Sequence, residues 1–236
     1  MERKLTFCAL GILCMSLFYL TACEETDNDP TTVTDIDGNV YKTVTIGSQV
    51  WMAENLKTTK FRNGDPIPLI TDAAAWASST TGAYCNYDND EANAEVYGRL
   101  YDWKSANDPR GICPEGWHIP TDEEWKILEG VADSQFGIGD PVWEGTSSRG
   151  YDAGMNLQSE SIPNGTNITG FSALLGGIRA LNGTFSLFGN TGDFWTSDEF
   201  DGNNAWNREV NGNTPFVART KVSKSNGFSV RCLQDY

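Results

Sequence analysis

From residue 139 to residue 213 the chain is dominated by Gly, Asn, Ser and Thr, and its apolar residues come only in short pieces such as FSALLGGIRALNGTF, DFWTS and AWNREV. About seventy residues with no structure of their own would be improbable inside a folded domain. The stretch therefore predicts short strands joined by long excursions, with Asn182-Gly183 as a hairpin turn. Composition agrees, since 24 glycines supply turns while eight tryptophans, eleven phenylalanines and an apolar content of 39% supply a core. At 236 residues, one large domain is the expectation.

The segment before this stretch is more regular. Residues 35–56, DIDGNVYKTVTIGSQVWMAENL, read as hairpins turning at Asp37-Gly38 and Gly47-Ser48. Asn63-Gly64 adds a turn, and two nearby prolines bar a central strand there. Residues 71–78 predict a short helix capped by Thr71. Val96, Leu100 and Trp103 fall at helical spacing, which predicts a second helix over 91–106. In CPEGWHIPTDEEWKIL, residues 113–128, a short extended piece over 116–119 is ended by Pro120. Thr121 and Glu124 then form a capping box, and Trp125, Leu128 and Val131 or Ala132 share one helix face. Residues 226–235 alternate Phe228, Val230 and Cys232, as a final strand would.

The amino terminus predicts export. Arg3 and Lys4 precede an apolar run over residues 5–20, and LTAC ends at Cys23. The order resembles the signal and lipobox of bacterial lipoproteins, in which Cys23 carries the lipid and becomes the first mature residue. Several acyl chains, at about 0.8 kcal/mol per buried methylene, anchor a protein to a membrane. Residues 23–34 predict an acidic, extended tether broken by Pro30. An acidic run in that place resembles the surface-export signal of Bacteroidota lipoproteins, so lipid attachment to the outer membrane, facing outward, is expected, with a periplasm-facing attachment as the alternative. Loss of residues 1–22 leaves 15 basic and 31 acidic side chains, a net charge of −16. That field argues against nucleic acid as a partner. The body keeps Cys85, Cys113 and Cys232, enough for one disulfide and one thiol, and spacing alone does not choose the pair.

Three segments, DIDGNVYKTVTIGSQVWMAENLK, CPEGWHIPTDEEW and GFSALLGGIRALNGTF with the terminal GFSVRC, together resemble the Fibrobacter succinogenes major paralogous domain. The resemblance covers nearly all of a domain drawn here as residues 35–236. That family is similar in turn to the C-type-lectin-like fold of formylglycine-generating enzymes, whose RLPTEAEWE segment corresponds to HIPTDEEWK. The resemblance implies an α+β fold with two or three helices, short antiparallel sheets, a long irregular loop region, and first and last strands close in space. It also implies a Cys113–Cys232 disulfide, with Cys85–Cys113 as the rival.

Catalysis is not expected. His118 is the chain's single histidine, too few for the several-histidine iron sites of lectin-fold oxygenases or for an evident triad. Formylglycine generation needs a cysteine pair in the long loop region, and none lies between Cys113 and Cys232. No cofactor is expected. Calcium is the alternative, because YDNDEANAE and SDEFDGNN are rich in oxygen ligands. Neither has EF-hand spacing, and the lectin WND signature appears as Trp206-Asn207-Arg208, with arginine in the ligand's place. Trp51, Trp117, Trp125 and Trp195 sit in strand or helix patterns and are assigned to the core. Trp143 and Trp206, in the polar loop region, are the aromatic candidates for exposure. The expected ligand face is Trp143, Asp198, Glu199, Trp206 and Arg208, with a glycan as partner. The alternatives are a protein-interaction or adhesion subunit and, third, an unrecognised enzyme of the same fold.

Overall fold

A computed structural model describes residues 31–236. The expected signal segment, Cys23 and most of the tether lie outside the described residues. The first strands are β1 (Thr32–Thr34), β2 (Val40–Ile46), β3 (Gln49–Met52), β4 (Tyr84–Cys85), β5 (Leu100–Asp102), β6 (Trp117–His118) and β7 (Ser147–Arg149). They are followed by β8 (Ile178–Arg179), β9 (Phe185–Ser186), β10 (Thr191–Glu199), β11 (Asn204–Asn211), β12 (Val217–Ser223), β13 (Gly227–Phe228) and β14 (Leu233–Gln234). The helices are α1 (Ala73–Ser78), α2 (Glu91–Tyr97), α3 (Trp103–Ala106), α4 (Asp122–Ala132) and α5 (Ala153–Leu157). The fold is thus α+β, and among the described residues no helix is long and apolar enough to cross a membrane.

Three antiparallel sheets organise the described residues, ordered β1-β2-β3-β14-β6, β10-β11-β12-β7 and β4-β5-β13-β8-β9. The second divides the interior, because successive side chains of a strand point to opposite faces. Phe194, Val210 and Val217 enter a cluster with Trp125 and Leu128 of α4, while Trp195 and Ala205 join Tyr101, Trp117 and Phe228 on the other side. Helix α4 starts where its capping box places it. The Thr121 hydroxyl accepts from the Glu124 N–H at 3.2 Å, and the Glu124 carboxylate accepts from the Thr121 N–H at 2.8 Å.

The carboxyl-terminal strand is two strands. β13 pairs with β5 and β8, and β14 lies between β3 and β6, with Leu233 opposite Trp51 and His118. The alternation of Phe228, Val230 and Cys232 captures one face only, because every side chain from Phe228 to Leu233 is buried between the two clusters. Arg231 is accommodated there by donating to Asn55 Oδ1 at 3.0 Å and to the carbonyls of Met52, Phe171 and Ser172, with its guanidinium against Phe171. Cys232 is bonded to Cys113, with the two Cα atoms 5.9 Å apart, and Cys85 is a buried free thiol.

Several local expectations change. The helix expected over 91–106 stops at Tyr97, because Gly98 has φ +76° and a Cβ there would stand 2.6 Å from that of Asn55. The chain then runs as β5 before α3 begins under an Asp102 cap. Asp72, not Thr71, caps α1, accepting from the Ala75 N–H at 2.8 Å. Residues 32–34, assigned to the tether, pair with β2 as an edge strand. Among the described residues, five helices replace two or three. α5 lies inside the stretch expected to hold only strands and loops, where its Ala153, Gly154 and Leu157 are buried.

Candidate functional site

The β10–β11 hairpin projects from the central sheet and brings part of the expected face together. Its strands pair regularly from Thr191 to Trp195 against Asn211 to Asn207, and the register then shifts before Glu199. Beyond the shift the tip is closed by Asp201, whose carboxylate accepts from the N–H groups of Asn203 at 2.8 Å and Asn204 at 2.9 Å. Asp198 ties the base of the tip to α4, its Oδ2 accepting from the Asp122 N–H at 2.5 Å. Glu199 pairs with Lys224 at 3.1 Å.

Trp206 is half-buried on this hairpin and stacked into a ladder. The Arg219 guanidinium lies 3.6 Å from its ring centre, the Phe200 ring meets it edge-on at 5.0 Å, and Lys221 Nζ stands 4.4 Å over Phe200. Such contacts fix ring orientation as well as adding attraction. Phe200 is 42% exposed, and Lys221 is exposed beside it. Phe200, Lys221 and Arg219 join this surface without belonging to the face expected from the sequence. The available signal was a phenylalanine set among the acids of SDEFDGNN, where no core-directed pattern accounts for it.

Trp143 and Arg208 do not belong to that face. Trp143 is 1% exposed within a 3-10 turn, Pro141–Glu144, and its indole N–H donates to the Gly137 carbonyl at 2.9 Å. Gly150 admits the ring, since a Cβ there would lie 2.7 Å from it. Arg208 is fully buried on the core side of β11. Its Nε donates to Glu129 at 2.5 Å and its Nη1 lies 2.8 Å from Asp122. Glu129 also holds Arg149, and Asp122 holds Arg219 at 2.7 Å, so two carboxylates and three guanidinium groups form one ionic network beneath the Trp206 ladder. Burial raises the Asp122 carboxyl, but the Arg219 hydrogen bonds and the Arg208 charge outweigh it and hold it down at about 2. A polar loop sequence thus conceals an arginine that serves the core, because Asp122 and Glu129 of α4 face the three arginines that the sheet turns toward the helix.

Trp51, Trp117, Trp125 and Trp195 are buried in the two clusters. His118 sits between two carboxylates, with Nδ1 2.6 Å from Asp235 and Nε2 3.1 Å from Glu124. The Glu124 hydrogen bond raises its pKa above the ordinary value, burial opposes, and Asp235 adds to the rise. Burial pushes the Cys85 thiol up to about 12 despite nearby Arg179. In the two oxygen-rich loops, Asp90 caps α2, Glu91 pairs with Arg99, and Asp198, Glu199 and Asp201 are bonded as described. Among the described residues no group of three or more His, Cys, Asp or Glu side chains is arranged to hold a metal ion.

No curated protein and no solved structure matches the chain. The family model described as the Fibrobacter succinogenes major domain does, over residues 44–234, a span from within β2 to the end of β14. Because the match covers well over half of the chain, from within β2 through every later element, the chain belongs to that family.

Proposed function

We propose that this protein is a non-catalytic binding domain, carried at the outer membrane by lipid on Cys23 and facing outward, and that the β10–β11 tip takes a glycan. The observation that carries the reading is the Phe200–Trp206 pair, an aromatic surface held in place by Arg219 and Lys221 and bordered by Glu199, Asp201 and Asn203. Aromatic faces beside a few fixed polar groups suit polyhydroxylated ligands. The tip is preorganised by the Asp201 turn and the Asp198 anchor, which lowers the ordering cost of binding. Assignment of the α+β arrangement to the C-type-lectin-like fold belongs to the same proposal, supported by the pairing of β14 with β3 at the two ends of the domain. The binding reading is also supported by the state of the two groups an enzyme would use first. Both His118 ring nitrogens face carboxylates, and the Cys85 thiol is buried with a raised pKa.

A glycan array probed with the full-length protein tests this. Binding should fall at least tenfold in Phe200→Ala and Trp206→Ala, with circular dichroism unchanged. Array binding that survives both substitutions would remove the tip from the account.

A further inference from the structure

A second surface, on the loop between β9 and β10, has features that the core does not explain. Seven residues other than glycine have positive φ among the described residues; six are Asp, Asn or Ser, and the seventh is Leu187 at +64°. A leucine in that region is strained, because its Cβ crowds the following carbonyl. Leu187 is nevertheless 44% exposed, and Phe188 beside it is 38% exposed. The loop is held rather than loose. The Leu187 carbonyl accepts from the N–H groups of Asn190 at 2.9 Å and Thr191 at 3.1 Å, and Gly189 donates to the Leu175 carbonyl at 2.9 Å.

Phe188 is fixed from two sides, stacked on Tyr87 at 4.6 Å and met edge-on by Tyr97 at 4.9 Å. Gly177 lets the loop approach, since a Cβ there would come within 2.8 Å of both the Tyr87 ring and the Phe188 nitrogen. Backbone strain kept at an exposed apolar side chain, with the supporting rings already in place, points to use of that side chain. Between Tyr87 and Tyr97 the chain carries exposed Asp88, Asp90, Glu91 and Glu95, of which Glu91 is paired with Arg99.

We infer that the Leu187–Phe188 loop is a docking surface for a protein segment that presents an apolar side chain flanked by lysine or arginine. The flanking acids and the strongly negative chain select a basic partner and oppose both a second copy of this chain and an anionic lipid surface. A glycan fits less well here than at the β10–β11 tip. An aliphatic side chain rather than an aromatic one leads the loop. The inference stands on its own observations and does not require the glycan reading.

The test is selection of a phage-displayed dodecapeptide library on the full-length protein. The expected result is recovery of peptides with an apolar residue between basic ones. Their binding should weaken with added salt and fall at least tenfold in Leu187→Gly and in the double variant Asp88→Asn, Asp90→Asn, which keeps an oxygen at the α2 cap. Leu187→Gly should melt at the same temperature as the parent or higher, because glycine tolerates the loop's backbone. Failure to recover that peptide class, undiminished binding to Leu187→Gly, or a lower melting temperature for Leu187→Gly would each overturn the inference. So would a glycan-array signal lost in Leu187→Gly and kept in Phe200→Ala.

Discussion

Replacing Glu129 by glutamine tests the view that the arginines of the central sheet are core residues. Glu129 is fully buried and accepts from both Arg208 and Arg149. Glutamine keeps the shape but removes the charge, and it turns one oxygen into an N–H₂ group facing a guanidinium. Arg208 is then left with the Asp122 carboxylate, which already serves Arg219, and Arg149 loses its carboxylate partner. Removing one partner from a buried ionic network costs about 3–5 kcal/mol, since the remaining charges stay desolvated. For a domain of about 200 residues that corresponds to roughly 6–20 °C in melting temperature. Urea unfolding followed by tryptophan fluorescence measures it, with Glu123→Gln as control. The Glu123 side chain is 71% exposed and touches only Lys126 at 3.3 Å, so its loss should stay below about 0.5 kcal/mol. If Glu129→Gln lies within about 1 kcal/mol of the parent at unchanged urea dependence, the network argument is wrong.

Three further outcomes follow from the geometry. The Cys113–Cys232 bond spans 119 residues, and on the chain-entropy account its removal by Cys113→Ser with Cys232→Ser should cost about 5 kcal/mol; equal unfolding midpoints for variant and parent would contradict that. His118 has a folded pKa raised above 6.5, so its contribution is complete below that value and is lost as pH rises through the folded pKa, while Glu124, lowered from 4.5, contributes above 4.5 and loses its share as pH falls. His118→Gln should therefore lower the melting temperature most at about pH 5.5 and least near pH 9, and a pH-independent difference would refute the assignment. Gly150→Ala should destabilise by about 2 kcal/mol or more, because φ is +82° and the new Cβ would press on the Trp143 ring and the Asp133 carboxylate; thermal melts decide it.

Local signals in the sequence were legible where short-range chemistry decides the structure. The capping box at Thr121, the Asn182-Gly183 turn and the hairpin of β2 and β3 each rest on residues close in the chain. The break at Gly98 was not legible from helical spacing, because the contacts that hold the turn, such as the Asn55 amide donating to the Tyr97 carbonyl, come from more than forty residues away. Burial of Arg208 was hidden for the same reason. Its partners Glu129 and Asp122 lie on α4, and nothing within AWNREV announces them. Of the expected face, Asp198, Glu199 and Trp206 meet at one hairpin tip because they flank a single turn, whereas Trp143 belongs to a separate element whose access to the core depends on Gly150. Phe200 is a lone apolar residue in a polar loop, with no periodicity to detect, whereas Leu187 lies between Phe185 and Phe188 and reads as part of a core strand.

Hydrogen–deuterium exchange of the full-length protein, with and without the glycan that binds best on the array, tests the binding proposal most directly. The account predicts protection confined to residues 197–206 and 219–224, the tip and the strand that carries Arg219 and Lys221. Protection centred instead on the surroundings of His118, or turnover of the glycan during the measurement, would contradict it.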